Sequence, residues 1–281
     1  MGGGTVRAAL MQIDVHPDES VDSRRSRVAD LVRAQSGADL VVLPELWPTG
    51  AFAYDLWEDT AEPLDGPTAT AMSGAARDAG VWLHAGSIVE REATGPGSAE
   101  GPGRPGRMFN TSLVFGPDGE LRRTYRKIHR FGFDEGEAVV MGGGEQIATA
   151  ATAHGTLGLA TCYDLRFPEQ FRLLVDAGAE LLVIPAGWPA RRREHWLLLA
   201  RARAVESQAF VLACCSAGTH AGVEQAGHSL VVDPWGEVLA EGGTDEEVLV
   251  VDIDPGQVAK VRADFPVLRD RLLGLPVPPR R

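Results

Sequence analysis

The sequence predicts an α/β domain in which helices cover the outer faces of sheets packed against each other. Short apolar runs alternate with helical stretches along most of the chain. Few of those runs alternate polar with apolar residues, as expected of strands buried on both faces. Two turn sequences also join neighbouring runs into antiparallel hairpins, so the chain mixes βα units with hairpins.

Strands are expected over residues 6–11 (VRAALM), 40–43 (LVVL), 81–88, 111–115, 158–161, 181–184, 210–213, 230–232 and 248–251. Helices are expected over 22–34, 68–79 and 191–207. In the last, Trp196, Leu199, Ala200, Arg203 and Ala204 recur at helical spacing. Gly116-Pro117-Asp118-Gly119 turns TSLVF into LRRTY, and Asp233-Pro234-Trp235-Gly236 turns SLVV into EVLA. The segment 94–106 (TGPGSAEGPGRPG) reads as a flexible surface loop, as do residues 1–4, and 265–281 as a C-terminal tail. The GPGRPG within that loop is no dinucleotide fingerprint, because no strand precedes it, no helix follows and two prolines interrupt it. The 281 residues are otherwise expected to form one domain, and 44% hydrophobic content is enough for a sizeable core.

A formal charge of −12 repels phosphate backbones, so no nucleic-acid partner is expected. The arginines at 191–193 read as a solvated face. No run approaches the ~20 apolar residues of a membrane span, so no membrane partner is expected either. The run 6–11 is too short for a signal peptide, and Val6 does not fit a myristoylation signal beginning at Gly2. Cys162, Cys214 and Cys215 are an odd count with an adjacent pair, a poor disulfide framework, and suggest a reducing cytoplasm. In that compartment the acceptor pattern Asn110-Thr111-Ser112 is expected to be inert to glycosylation.

Serine-hydrolase chemistry lacks its G-x-S-x-G elbow. Zinc chemistry lacks spaced ligands, since Cys214 and Cys215 point to opposite faces of a strand and the histidines are scattered, so no metal or other cofactor is expected. A cysteine nucleophile needs a base, a positive group for the oxyanion and a place at strand ends. Cys162 follows one apolar run, Glu45 follows LVVLP, and Lys127 lies just past the first hairpin. Taken singly each has a plainer reading: a packed thiol, or a surface charge at the end of an element.

Together, LPELW, YRKIH and CYDLRFP, in that order, resemble the motifs of the nitrilase superfamily of carbon–nitrogen hydrolases, and the likeness runs from Val6 to about Asp254. The resemblance implies a four-layer αββα sandwich and a homodimer or larger homo-oligomer. It makes Cys162 the nucleophile, Glu45 the general base, and Lys127 the oxyanion stabiliser together with the backbone N–H of Tyr163. Glu137 is implied as a second glutamate, with Glu135 as its rival. Trp188 in PAGWP, at the end of the strand over 181–184, would wall the pocket or pack in the core. Arg166 would either pair structurally with Asp164 or touch substrate, and His195 would serve as a structural hydrogen-bonder or a substrate contact. Trp196 is expected in the core, and His129 in a structural role.

The segments GWPARRREHW and RARAVESQAF look most like the omega-amidase branch. This implies release of ammonia from a small linear amide such as 2-oxoglutaramate through a thioester. Action on a deaminated glutathione or an N-carbamoyl amino acid stays open. So does acyl transfer to an amine, which is chemistry of another class.

Overall fold

A computed structural model describes residues 4–93 and 106–273. The loop expected over 94–106 lies outside the described residues save for Gly106, and so do residues 1–3 and 274–281 of the expected termini. In chain order the elements are β1 (Val6–Gln12), α1 (Val21–Arg33), β2 (Leu40–Val42), α2 (Tyr54–Thr60), α3 (Pro67–Ala79), β3 (Trp82–Arg91), β4 (Met108–Phe115) and β5 (Leu121–Arg126). Then come α4 (Glu137–Val140), β6 (Ala148–Thr152), β7 (Gly155–Leu159), a 3-10 turn (Cys162–Arg166), α5 (Pro168–Asp176), β8 (Leu181–Ala186), α6 (Arg193–Ser207) and β9 (Phe210–Cys215). The chain closes with β10 (Thr219–His220), β11 (Val223–Glu224), β12 (Leu230–Val232), β13 (Val238–Glu241), β14 (Glu247–Ile253) and α7 (Gly256–Asp264).

Two six-stranded sheets result, in the orders β14-β1-β2-β3-β4-β5 and β13-β12-β9-β8-β7-β6. Each has a parallel centre, β1-β2-β3 in one and β7-β8-β9 in the other, flanked by antiparallel strands. The inner faces of the two sheets meet in one core, where Ala8, Leu10 and Val42 pack with Leu159, Leu181 and Phe210. The outer face of the first sheet packs on α1 and α3 through Met11, Val28 and Met72; that of the second packs on α5 and α6 through Phe171, Trp196 and Val211. This is the four-layer αββα order. It explains the missing polar alternation: in β9, Phe210, Leu212 and Cys214 face the other sheet while Val211, Ala213 and Cys215 face helices, so both sets are apolar.

Local signals set the helix ends. The Ser20 hydroxyl accepts from the Ser23 N–H to start α1, Pro67 opens α3, and left-handed Gly80 closes it. The expected helix over 191–207 begins as a 3-10 turn, Ala190–Arg192, before α6 proper. The hairpin β6–β7 and helices α2 and α7 were not expected. The ATAAT of β6 has no bulky apolar residue to mark it as a strand. Among the described residues, no helix is long and apolar enough to cross a membrane.

Strand direction decides what can meet. β2 and β3 run parallel, β4 runs back and β5 forward again, so the C-terminal ends of β2 and β5 share an edge with the N-terminal half of β4. Residues following β2 and β5, and residues early in β4, therefore gather at one place. At Gly86 (φ 66) the backbone of β3 approaches the segment after β2 so closely that an added Cβ would overlap the carbonyl oxygen of Pro44. Gly86→Ala should therefore cost about 3 kcal/mol or more through combined clash and backbone strain. Urea unfolding of the variant measures the loss directly.

Candidate active site

Lys127, one residue past β5, is 1% exposed, with its ammonium between two carboxylates. Its Nζ donates to Glu45 Oε1 at 2.7 Å and to Glu137 Oε2 at 2.6 Å. Burial alone would push this ammonium toward neutrality, but Glu137 and Glu45 outweigh it and raise its pKa well above the ordinary lysine value. Burial raises the Glu137 carboxyl, Lys127 opposes that, and the balance stays above the usual range. Each charge of the group is tolerable in the interior only because the others are there.

Further donors fix the carboxylates. Asn110 in β4 donates its side-chain amide to Glu45 Oε1 at 2.8 Å and to Glu137 Oε1 at 2.6 Å. The Gly187 N–H donates to Glu45 Oε2 at 2.8 Å, and the Phe131 N–H to Glu137 Oε2 at 2.8 Å. Gly187 admits no larger residue, because a Cβ there would overlap that of Ala51. Glu135 is exposed and lines the outer vestibule, so the structure brings Glu137, not Glu135, to Lys127.

Cys162 opens the 3-10 turn after β7 with φ 46, a left-handed conformation unusual for a residue with a side chain. Its Sγ lies 3.9 Å from the Gly187 carbonyl oxygen. Burial, then the Glu45 charge, push the thiol well above its usual pKa; Lys127 pulls the other way without winning. The resting group is a neutral thiol beside a carboxylate. The Tyr163 N–H donates to no group among the described residues.

Asp164, fully buried, holds this turn. It accepts from Tyr125 Oη at 2.6 Å, the Thr161 N–H at 2.8 Å and the His129 N–H at 3.0 Å, and its Oδ1 lies 2.8 Å from His129 Nδ1. Burial and then Asp164 raise the Tyr125 phenol well above its usual value, so it stays a donor. One carboxylate thus ties the strand end that carries Lys127 to the turn that carries Cys162. His129 keeps its expected structural place, stacked on Phe167 at 3.7 Å.

Glu45, Lys127, Glu137 and Cys162 line the floor of a narrow cleft of about 380 Å³, open mouth included, walled by Phe52, Tyr54, Phe131 and Trp188. Trp188 is buried and donates its indole N–H to the Arg192 carbonyl at 2.8 Å. Arg166 does not pair with Asp164 as the sequence suggested. Asp164 is already filled by other donors, and the guanidinium lies over the Trp188 ring at 4.7 Å, lining the cleft. His195 is exposed and off the cleft, its Nδ1 3.4 Å from Arg166, because the first turn of α6 points it to solvent. Arg192, expected on a solvated face, instead lies over Phe131 at 5.2 Å and lines the cleft. Neither Arg166 nor Arg192 meets a carboxylate among the described residues. Burial, Arg191 and Arg166 all lower the Arg192 pKa, as expected in a like-charged cluster.

Sequence reasoning missed Asn110 and Arg192. Asn110, set aside as an inert glycosylation acceptor, is 3% exposed. Its signal was the polar triplet Asn110-Thr111-Ser112 inside an otherwise apolar strand. Trp196 packs in the core as expected. Among the described residues no group of three or more His, Cys, Asp or Glu side chains is placed to hold a metal ion.

Residues 7–263 match the carbon-nitrogen hydrolase family. The chain is 43% identical over 272 residues to the 2-oxoglutaramate amidase of Paenarthrobacter nicotinovorans, covering 95% of this chain and 90% of the relative. It is 36% identical over 281 residues to the omega-amidase NIT2 of Mus musculus, covering 95% of each. Among solved structures it is similar to XC1258 of Xanthomonas campestris, a CN-hydrolase superfamily protein (TM-score 0.85, 29% identity, 98% of this chain and 100% of that one). It is also similar to Nit3 of Saccharomyces cerevisiae, a member of branch 10 of the nitrilase superfamily (TM-score 0.82, 30% identity, 94% and 95%).

The position of Asp164 generates a stability test. Asp164→Ala strands a buried phenol, the buried N–H of Thr161 and the half-buried N–H of His129, and should cost about 3–5 kcal/mol in chemical denaturation. Asp164→Asn keeps two acceptor lone pairs and should lose roughly half as much.

Proposed function

This chain belongs to the carbon–nitrogen hydrolase family, and we propose that it is a cysteine-dependent amidase releasing ammonia from a small linear amide with a carboxylate at its far end. The observation that carries this reading is one cleft holding a neutral thiol, a carboxylate and a charged lysine on its floor, with Arg166 and Arg192 on its wall.

Amide hydrolysis is slow because the carbonyl is a weak electrophile and the amine a poor leaving group. Glu45 takes the thiol proton as Cys162 Sγ bonds to the carbonyl carbon, so thiolate forms only as the bond is made. The carbonyl electron pair moves onto oxygen, where Lys127 Nζ and the Tyr163 N–H meet it. As the tetrahedral intermediate collapses, Glu45 returns the proton to the departing nitrogen. Ammonia leaves and a thioester remains on Cys162. Glu45 then takes a proton from water, the hydroxide equivalent adds to the thioester, and collapse frees the carboxylic acid and restores the thiol.

Arg166 and Arg192 give the cleft a cationic wall opposite its anionic floor, which suits a substrate neutral at the scissile end and anionic at the other. With relatives named as 2-oxoglutaramate amidase and omega-amidase, 2-oxoglutaramate is the substrate to try first. Water is the acyl acceptor on this reading, acting in the cytoplasm in a homodimer or larger homo-oligomer.

A panel of short amides, with ammonia release as readout and mass spectrometry of the Cys162 peptide, tests the reaction. Cys162→Ala should abolish turnover while unfolding as the wild type does; near-wild-type activity would remove the nucleophile. Lys127→Gln should lower kcat about 10²–10³-fold, with far less change in KM. Ammonia release that requires an added amine would instead mark an acyltransferase.

Arg192→Gln should raise KM about tenfold or more for a substrate ending in carboxylate and leave a neutral amide such as butyramide within about twofold. Equal effects on both substrates would count against recognition of the anionic end.

A further inference from the structure

We propose that Asn110 is a positioning residue that, with Lys127, fills Glu45 Oε1 and so confines proton transfer from Cys162 to Glu45 Oε2. This deepens the amidase reading and rests on it.

A carboxylate oxygen offers about two lone-pair sites. Glu45 Oε1 receives Lys127 Nζ at 2.7 Å and Asn110 Nδ2 at 2.8 Å, which occupies both. Among the described residues, Glu45 Oε2 receives only the Gly187 N–H at 2.8 Å. The remaining site is on the oxygen held by the Gly187 N–H, and the carbonyl oxygen of that same residue lies 3.9 Å from Sγ. The thiol proton therefore passes from Sγ to Oε2 as the bond to substrate carbon forms, and Oε1 never carries it.

Asn is chemically specific for this task. Its amide has two N–H bonds diverging by about 120°, and they reach the two carboxylates at 2.8 and 2.6 Å. A flipped amide would set its oxygen against two carboxylates, so the orientation is fixed by charge. Asp would add a third carboxylate, and Ser could serve only one partner. The side-chain oxygen of Asn110 finds no donor among the described residues, so all its bonding is directed at Glu45 and Glu137. Its backbone carbonyl also accepts the Lys127 N–H at 2.9 Å, placing the amide alongside the lysine it cooperates with.

The test compares wild type with Asn110→Ala, Asn110→Ser and Asn110→Asp. It follows kcat and KM for ammonia release across pH, and separately the rate at which iodoacetamide alkylates Cys162, read by mass spectrometry. Asn110→Ala should lower kcat about 30–100-fold with KM within about threefold. It should also move the acid limb of the pH–rate profile upward by about half a unit to one unit, since a donor to ionised carboxylates is lost. Asn110→Ser, which keeps one donor and guards against a misfolded Ala variant, should fall between wild type and Ala; Asp should be worst. An Asn110→Ala enzyme with wild-type kcat, or one whose kcat falls with an unmoved pH profile, would overturn the proposal and leave Asn110 as strand filler. Alkylation needs no turnover, so the two readings fail separately. If wild type releases no ammonia, the amidase reading falls. If the pH dependence of alkylation is then the same in wild type and Asn110→Ala, the positioning role falls as well.

Discussion

The buried ammonium of Lys127 between Glu45 and Glu137 is the constraint on which the rest of the site depends. Three charges taken from water cost several kcal/mol each, and that cost is offset only at contact distance and with further hydrogen bonds to the carboxylates. The structure meets those terms with the two lysine contacts at 2.6–2.7 Å, the shared Asn110 amide, and the backbone N–H groups of Gly187 and Phe131. Two of those donors sit on loops from different sheets, so the charge cluster works as a clamp across the sandwich. Local errors in either loop would leave a buried charge unpaired, which selects strongly for one arrangement.

Backbone geometry supplies the same precision at Cys162. Left-handed conformations at Cys162 (φ 46) and at Leu46 (φ 44), immediately after Glu45, turn both segments sharply as they leave their strands. Such residues cost about 1–3 kcal/mol each and persist only where the surroundings hold them. At Cys162 the holding is visible: the buried Asp164 accepts from the residue before the thiol and from Tyr125 and His129, on either side of Lys127. Cys162 and Lys127 are thus referenced to one carboxylate rather than positioned independently.

How much of this could be read from the chain depended on what each residue does to its neighbours in sequence. Glu45 and Cys162 stood out because each follows a short apolar run, where an ionisable group is both shielded and reachable, and Lys127 because it lies just past the first hairpin. The layer order was legible for a related reason: strands covered on both faces lose polar alternation. Asn110 was not legible, since its partners are 65 and 27 residues away and its sequence neighbours spell an unrelated motif. Arg192 was not legible on the cleft wall, and two alternatives stayed open at Arg166 and at His195, because all three lie on or beside short 3-10 turns, where side-chain direction follows no long-range period. Glu137 was preferred to Glu135 on the stretch that follows it. The geometry behind that preference is the one-turn helix α4, which buries its first residue.

The charge pattern of the cleft also bears on turnover. Two carboxylates against one ammonium leave the floor negative by about one charge while the thiol is neutral, and a free thiolate would add another. Ionisation of the free Cys162 thiol is therefore disfavoured, which on the proposed reaction couples deprotonation to the arrival of an electrophile. On the proposed reaction the substrate enters with a neutral amide facing this floor and leaves with a new carboxylate there. The floor that tolerates the amide repels its product, while the arginine wall holds only the end that substrate and product share. Discrimination between the two then comes from the reacting end, so binding on the wall can orient the substrate without trapping what the reaction makes.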